Sequence, residues 1–202
     1  MQKINTVFFD IGGVIIDHIA SVRNTAVELG ISADAAVELF KKYADGLDRG
    51  TFSWADFEPI FYDTFNPKKH LKHALVREFV DRFTIIQETY DFIHELEGEM
   101  GVGILSNVAE DVFSSIKERG LIPTIHYESQ IISSSIGYIK PEKEIFDIAS
   151  KSVLLTPSQL LLVDDKEINT QAAMSFGWSA VLFKTKYPRE SIIEVKQVLA
   201  LK

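Results

Sequence analysis

Three polar clusters stand immediately after apolar runs: Asp10, Ser106-Asn107 and Asp164-Asp165. An aspartate after an apolar run is ordinarily a turn or capping residue, but three such endings in one chain suggest a shared site. In an open α/β sheet ligands bind beyond the carboxyl ends of the strands, so these residues are expected to converge there. Carboxylates brought together repel unless a cation neutralises them. Hard oxygen ligands at that density suit Mg²⁺, which takes one or two carboxylates and keeps waters for a substrate phosphate. A fourth segment, Gly137-Tyr138-Ile139-Lys140-Pro141, supplies a lysine between a glycine and a proline.

The elements that must position these groups are legible as alternating patterns. Thr6–Phe9, Val102–Leu105 and Leu160–Val163 are unbroken apolar runs. Runs without polar alternation predict strands of a parallel sheet covered on both faces. Helical patterns follow: Ala109–Arg119 stopping at Gly120, Glu142–Ser152 after Pro141, Glu167–Phe176 stopping at Gly177, and Ser191–Leu199. Trp178–Phe183 reads as a further strand. The alternation predicts a doubly wound, Rossmann-like α/β sheet.

Residues 17–86 break that alternation. Ser21–Leu29 ends at Gly30, Ser32 can cap Ala33–Ala44, and Ser53 can cap a segment carrying Trp54, Phe57 and Phe61. Asn66-Pro67 is expected to open a helix along which Leu71, Leu75, Phe79 and Phe83 recur at a spacing of four. The prediction is a helical cap domain over 17–86 inserted into a core formed by 1–16 and 87–202. The cap aromatics are expected to pack against one another, and Arg49 to lie in a solvated loop.

The chain has 202 residues, 46% of them hydrophobic, and a net charge of −8. That is ordinary globular composition, and the acidic balance argues against a nucleic-acid partner, which needs a basic face. Zero cysteines exclude a disulfide scaffold, thiolate-held metal and a thiol nucleophile. The first apolar run is too short for a signal peptide or membrane span, so no membrane partner and a cytoplasmic location are expected. The oligomeric state leaves no mark in the sequence.

Phe8-Phe9-Asp10-Ile11-Gly12-Gly13-Val14, Leu105-Ser106-Asn107, Gly137-Tyr138-Ile139-Lys140-Pro141 and Val163-Asp164-Asp165-Lys166-Glu167-Ile168-Asn169 resemble, in order, the four motifs of the haloacid dehalogenase-like hydrolase superfamily. The short helical insert and Gly50-Thr51-Phe52-Ser53-Trp54 are similar to its branch of sugar-phosphate phosphatases and the phosphatase domain of soluble epoxide hydrolases. The resemblance implies a phosphomonoester hydrolase acting on a small phosphorylated metabolite. Asp10 would be the catalytic nucleophile, forming an aspartyl-phosphate. Mg²⁺ would be held by Asp10, the Gly12 carbonyl and Asp164, with Asp165 as a direct or water-mediated ligand. Lys140 would be catalytic and, with Ser106 and Asn107, contact the phosphate; Asn169 would be structural.

One position departs from the pattern. Phosphatases of the superfamily carry a proton-transferring aspartate two residues after the nucleophile, where this chain has Gly12. Three readings follow: a phosphatase using another acid or base, a dehalogenase-type hydrolase, or a phosphate- or partner-binding protein without turnover. Asp17 and His18 are the nearest titratable residues in sequence. His70, His73, His94 and His126 show no metal-ligand spacing and are expected at the surface.

Overall fold

The computed structural model describes residues 3–69 and 71–201. Five parallel strands form its sheet: β1 (Thr6–Phe9), β4 (Gly101–Ser106), β5 (Ser129–Ile132), β6 (Leu160–Asp164) and β7 (Ser179–Leu182), in the order β5-β4-β1-β6-β7. The four residues of β1 are all buried, as an unbroken apolar strand requires when both faces are covered. Phe8 packs toward Trp178 and Phe146 on one face. Val7 and Phe9 pack toward Phe92, Ile93 and Val195 on the other.

Strand order reverses around β1: the chain proceeds from β1 to β4 and β5 on one side, then returns to β6 and β7 on the other. Such a reversal opens a crevice at the carboxyl ends of the central strands. Register sets what meets there. Phe9 pairs with Val163 and with Ile104, so Asp10 emerges beside Asp164 and close to Ser106.

The helices α5 (Gln87–Leu96), α6 (Glu110–Glu118), α8 (Lys143–Ser152), α9 (Glu167–Phe176) and α10 (Pro188–Val198) cover the sheet, with a one-turn α7 (Ser133–Ile136) after β5. Between β1 and α5 the chain makes α1 (Ser21–Leu29), α2 (Ala33–Arg49), α3 (Trp54–Phe65) and α4 (Leu75–Val80). Ser32 and Ser53 cap α2 and α3 as expected; Ser53 forms a reciprocal box with Asp56. Phe40, Trp54, Phe57 and Phe79 make one aromatic cluster, with ring centroids 5.0–6.2 Å apart.

Three details differ from expectation. The fourth helical pattern forms helix only from Leu75 to Val80, and Asn66, in the left-handed conformation, ends α3. Residues 16–17 and 84–85 pair as a short antiparallel ribbon, β2 (Ile16–Asp17) with β3 (Thr84–Ile85), which brings the two ends of the insert together. β5 was not among the expected elements, nor was α5, although its Thr89, Phe92, Ile93 and Leu96 recur at helical spacing. No helix among the described residues is long and apolar enough to cross a membrane.

Candidate active site

Asp10, at the end of β1, is 6% exposed. Its Oδ1 accepts hydrogen bonds from the backbone N–H of Ile11 (2.7 Å) and the hydroxyl of Ser106 (2.6 Å), and lies 3.2 Å from Lys140 Nζ. Among the described residues no donor reaches Oδ2. One carboxylate oxygen is thus fixed and the other is left for a ligand.

Lys140 reaches this point through the core. Its ammonium donates to the Leu105 carbonyl (2.6 Å) and to Asp164 Oδ2 (2.5 Å), and its side chain is fully buried. Asn107 brackets the Lys140 peptide: its Oδ1 accepts from the Lys140 N–H (2.7 Å) and its Nδ2 donates to the Lys140 carbonyl (2.9 Å). The Asn107 amide therefore places the lysine as well as lining the cavity. Asp164 is held in turn by Asn169 Nδ2 (2.9 and 3.1 Å) and the Lys166 N–H (2.9 Å).

Asp10, Asp164 and Asp165 offer oxygens that lie within 4.8 Å of one another. Asp165 Oδ1 is buried without a hydrogen-bond partner, an arrangement that is costly unless something absent from the protein itself satisfies it. Burial, Asp10 and Asp164 push the Asp165 carboxyl up to about 6. Burial and Asp164 likewise raise Asp10, against the pull of Lys140 and Ser106. For Lys140, burial disfavours the ammonium, but the two carboxylates outweigh it and hold the proton on. Excess negative charge with an orphaned oxygen is the donor set of a hard divalent cation, so these residues fit Mg²⁺. Gly13 makes room for the third carboxylate: its φ is +77°, and a Cβ there would lie 2.3 Å from Asp165 Oδ2.

A cavity of about 220 Å³ opens above Asp10. Gly12, His18, Ser106, Asn107, Lys166 and Asn169 line its floor; Phe40, Trp54, Phe79 and Phe83 line its wall. The insert's aromatics pack against one another as expected, and Trp54, Phe79 and Phe83 also line this space. Phe57 and Phe61 remain in the packing. Arg49 is not a free loop residue: it ends α2 and grips Glu142 and Asp45. His73, His94 and His126 are exposed, and His70 lies outside the described residues.

Two further charged residues line the cavity with no role implied by the motifs: Lys166, which lies within the fourth motif, and Asp48. Asp48 shares a helix face with Phe40, Ala44 and Leu47, and all four line the cavity. An acid at a helical spacing otherwise apolar was the available signal. Burial pushes the Asp48 carboxyl up to about 6.

No protein-family model matches the chain. It is 28% identical over 190 residues to a D-ribitol-5-phosphate phosphatase of Bacteroides thetaiotaomicron, covering 87% of this chain and 89% of the relative. Its fold is that of a HAD-like family hydrolase from Porphyromonas gingivalis, with TM-score 0.77, 20% identity and complete coverage of both chains. The fold also matches a HAD family enzyme of B. thetaiotaomicron in complex with magnesium and inorganic phosphate, with TM-score 0.74 and 21% identity over 90% of this chain and 95% of that one. The chain is thus similar in sequence to a phosphatase and in fold to HAD family enzymes. The four motif segments occupy the strand-end and helix-start positions described above, and α1–α4 lie between β2 and β3.

Proposed function

We propose that this chain is a Mg²⁺-dependent phosphomonoester hydrolase of small phosphorylated metabolites, with Asp10 as nucleophile. The observation that carries the reading is the asymmetric hold on Asp10: two hydrogen-bond donors and the Lys140 ammonium at Oδ1, and no donor among the described residues at Oδ2. A carboxylate approaching an anionic phosphoryl group needs fixed geometry and positive charge, since like charges repel. Ser106 and the Ile11 N–H supply the first. Lys140, locked by Asn107 and by two carboxylates, supplies part of the second.

Asp10, Asp164 and Asp165 would hold the cation. Bound there, Mg²⁺ supplies Lewis-acid withdrawal of charge from phosphoryl oxygens. Asp10 attacks phosphorus as the ester oxygen departs, giving an aspartyl-phosphate that water hydrolyses. Ser106 keeps Asp10 from rotating, while Asn169 and the Lys166 N–H keep Asp164 aligned. The helices of 17–86 act as a cap that excludes water from the cavity, with the β2–β3 ribbon as the place where the chain enters and leaves. The phosphatase identified as a relative supports a phosphomonoester substrate, and the cavity volume supports a compact one.

The test is a panel of sugar, polyol, nucleotide and aryl phosphates assayed with Mg²⁺ and with EDTA. Release of phosphate that EDTA abolishes and Mg²⁺ restores is the expected result. Hydrolysis unaffected by EDTA, or turnover of a haloacid in place of any phosphate ester, overturns it.

A further inference from the structure

Gly12 leaves a phosphatase of this superfamily without the side chain that would move protons at the ester oxygen. The structure shows what fills that space. A Cβ built on Gly12 would lie 2.8 Å from His18 Cε1, 3.1 Å from His18 Nδ1 and 3.6 Å from Nε2. Gly12 is not in the left-handed region; of the glycine pair only Gly13 is. Nothing in the backbone excludes a side chain at position 12, and it is the His18 ring that takes its volume.

The ring is placed there by several elements. His18 directly follows β2, its carbonyl accepts from the Ser21 N–H (3.0 Å) and hydroxyl (2.7 Å) ahead of α1, and its ring meets Phe83 edge-on at 6.0 Å. Nδ1 is buried without a hydrogen-bond partner and the ring lines the cavity above Asp10; burial lowers its pKa, and the Asp10 carboxylate opposes that shift. The neighbouring candidate is otherwise engaged: Asp17 is exposed and its Oδ1 caps the turn through the Ile19 N–H (3.0 Å).

We propose that His18 is the catalytic proton-transfer residue of this enzyme, standing in space where a side chain of residue 12 would otherwise stand. The inference rests on the phosphatase reading above. As the Asp10 Oδ2–phosphorus bond forms, the proton on Nε2 passes to the ester oxygen whose bond to phosphorus breaks. In the return step the oxygen of water bonds to phosphorus, a water proton passes to Nε2, and the Asp10–phosphorus bond breaks. Phosphate leaves, and the carboxylate and imidazolium are both restored.

The experiment compares kcat/KM for a series of substituted phenyl phosphates, from p-nitrophenyl to p-methoxyphenyl, in wild type and His18→Gln. These esters differ little in size and much in leaving-group basicity, and kcat/KM reports the step in which that group departs. His18→Gln should lower the p-methoxyphenyl value by about 10²-fold, at the low end of general acid catalysis, and the p-nitrophenyl value by only a few-fold. Gly12→Asp alone should collide with the ring and lose activity, whereas Gly12→Asp in a His18→Gly background should recover the shallow dependence that His18→Gly loses. The double variant also decides the matter if His18→Gln folds poorly. An equal loss across the series, or no loss, overturns the role of His18 while leaving the phosphatase reading standing. No Mg²⁺-dependent hydrolysis of any ester by the wild-type protein overturns the phosphatase reading itself.

Discussion

Arg49, the last residue of α2, meets Glu142 with two guanidinium nitrogens, at 3.1 and 2.7 Å, where the insert touches the start of α8. The same guanidinium donates to the Gly137 carbonyl (3.2 Å), and Ser133 Oγ donates to the Asp48 carbonyl one residue earlier (2.5 Å). These contacts tie the end of α2 to the segment that delivers Lys140. A bidentate pair whose side chains are about one-quarter to one-third exposed (26% and 34%) is on the order of 1 kcal/mol or less in stability. Glu142→Gln should therefore leave the melting temperature within a few degrees of wild type. It should raise KM and the rate of proteolytic cleavage within residues 17–86, because the junction opens more often.

Gly50 lies at the same junction. Its φ is +71°, and a Cβ there would stand 2.3 Å from the Ser134 carbonyl oxygen. Gly30 has nearly the same φ, +70°, with nothing within 4 Å of its Cβ position. Gly30→Ala should cost about 1 kcal/mol of stability, the backbone penalty alone. Gly50→Ala should cost more and also raise KM, since relief of the collision pushes the insert away from α7. Denaturant unfolding of the two variants side by side separates strain from displacement.

Lys140→Met should be severe. The ammonium lies between Asp10 and Asp164, and breaking a buried ionic cluster from one side costs about 3–5 kcal/mol. The variant should have no measurable turnover. Mg²⁺ should raise its melting temperature by more than it raises that of the wild type, because a cation then meets carboxylates with no lysine among them.

Asp48 sets a pH dependence in the metal-free protein. Its carboxyl sits near 6 in the folded chain because burial disfavours the charge, against 3.8 for the unperturbed group. Between those values the folded state binds the proton more tightly than the unfolded chain, so this residue's contribution to stability falls as pH rises from about 4 to about 6. Asp48→Asn should match wild type below pH 4 and exceed it above pH 6 by on the order of 1–2 kcal/mol. That is less than the full shift of about two units implies, since Asp48 is partly solvated. Chemical denaturation in EDTA across that range checks the sign.

The sheet and the positions of Asp10 and Asp164 were legible because unbroken apolar strands in parallel register deliver their next residues side by side. Lys140 was legible only through its motif, since nothing in a lone lysine announces burial between two acids. The ring of His18 over Gly12 was not legible, because it depends on how tightly the chain turns between β1 and β2. Asp48 is marked in the sequence only as an acid on the face of α2 that carries Phe40, Ala44 and Leu47, a weak signal for a capped helix with many charged residues. The spacing of four through Leu71, Leu75, Phe79 and Phe83 holds as helix only over Leu75–Val80.

The central claim is covalent phosphorylation of Asp10. Wild-type protein turning over p-nitrophenyl phosphate with Mg²⁺ should be quenched, reduced with borohydride and mapped by mass spectrometry. An aspartyl-phosphate is converted to homoserine by this treatment, so homoserine is expected at position 10, absent without Mg²⁺ and absent in Asp10→Asn. Aspartate intact at position 10 during turnover, with Asp10→Asn hydrolysing the ester at the wild-type rate, contradicts the account.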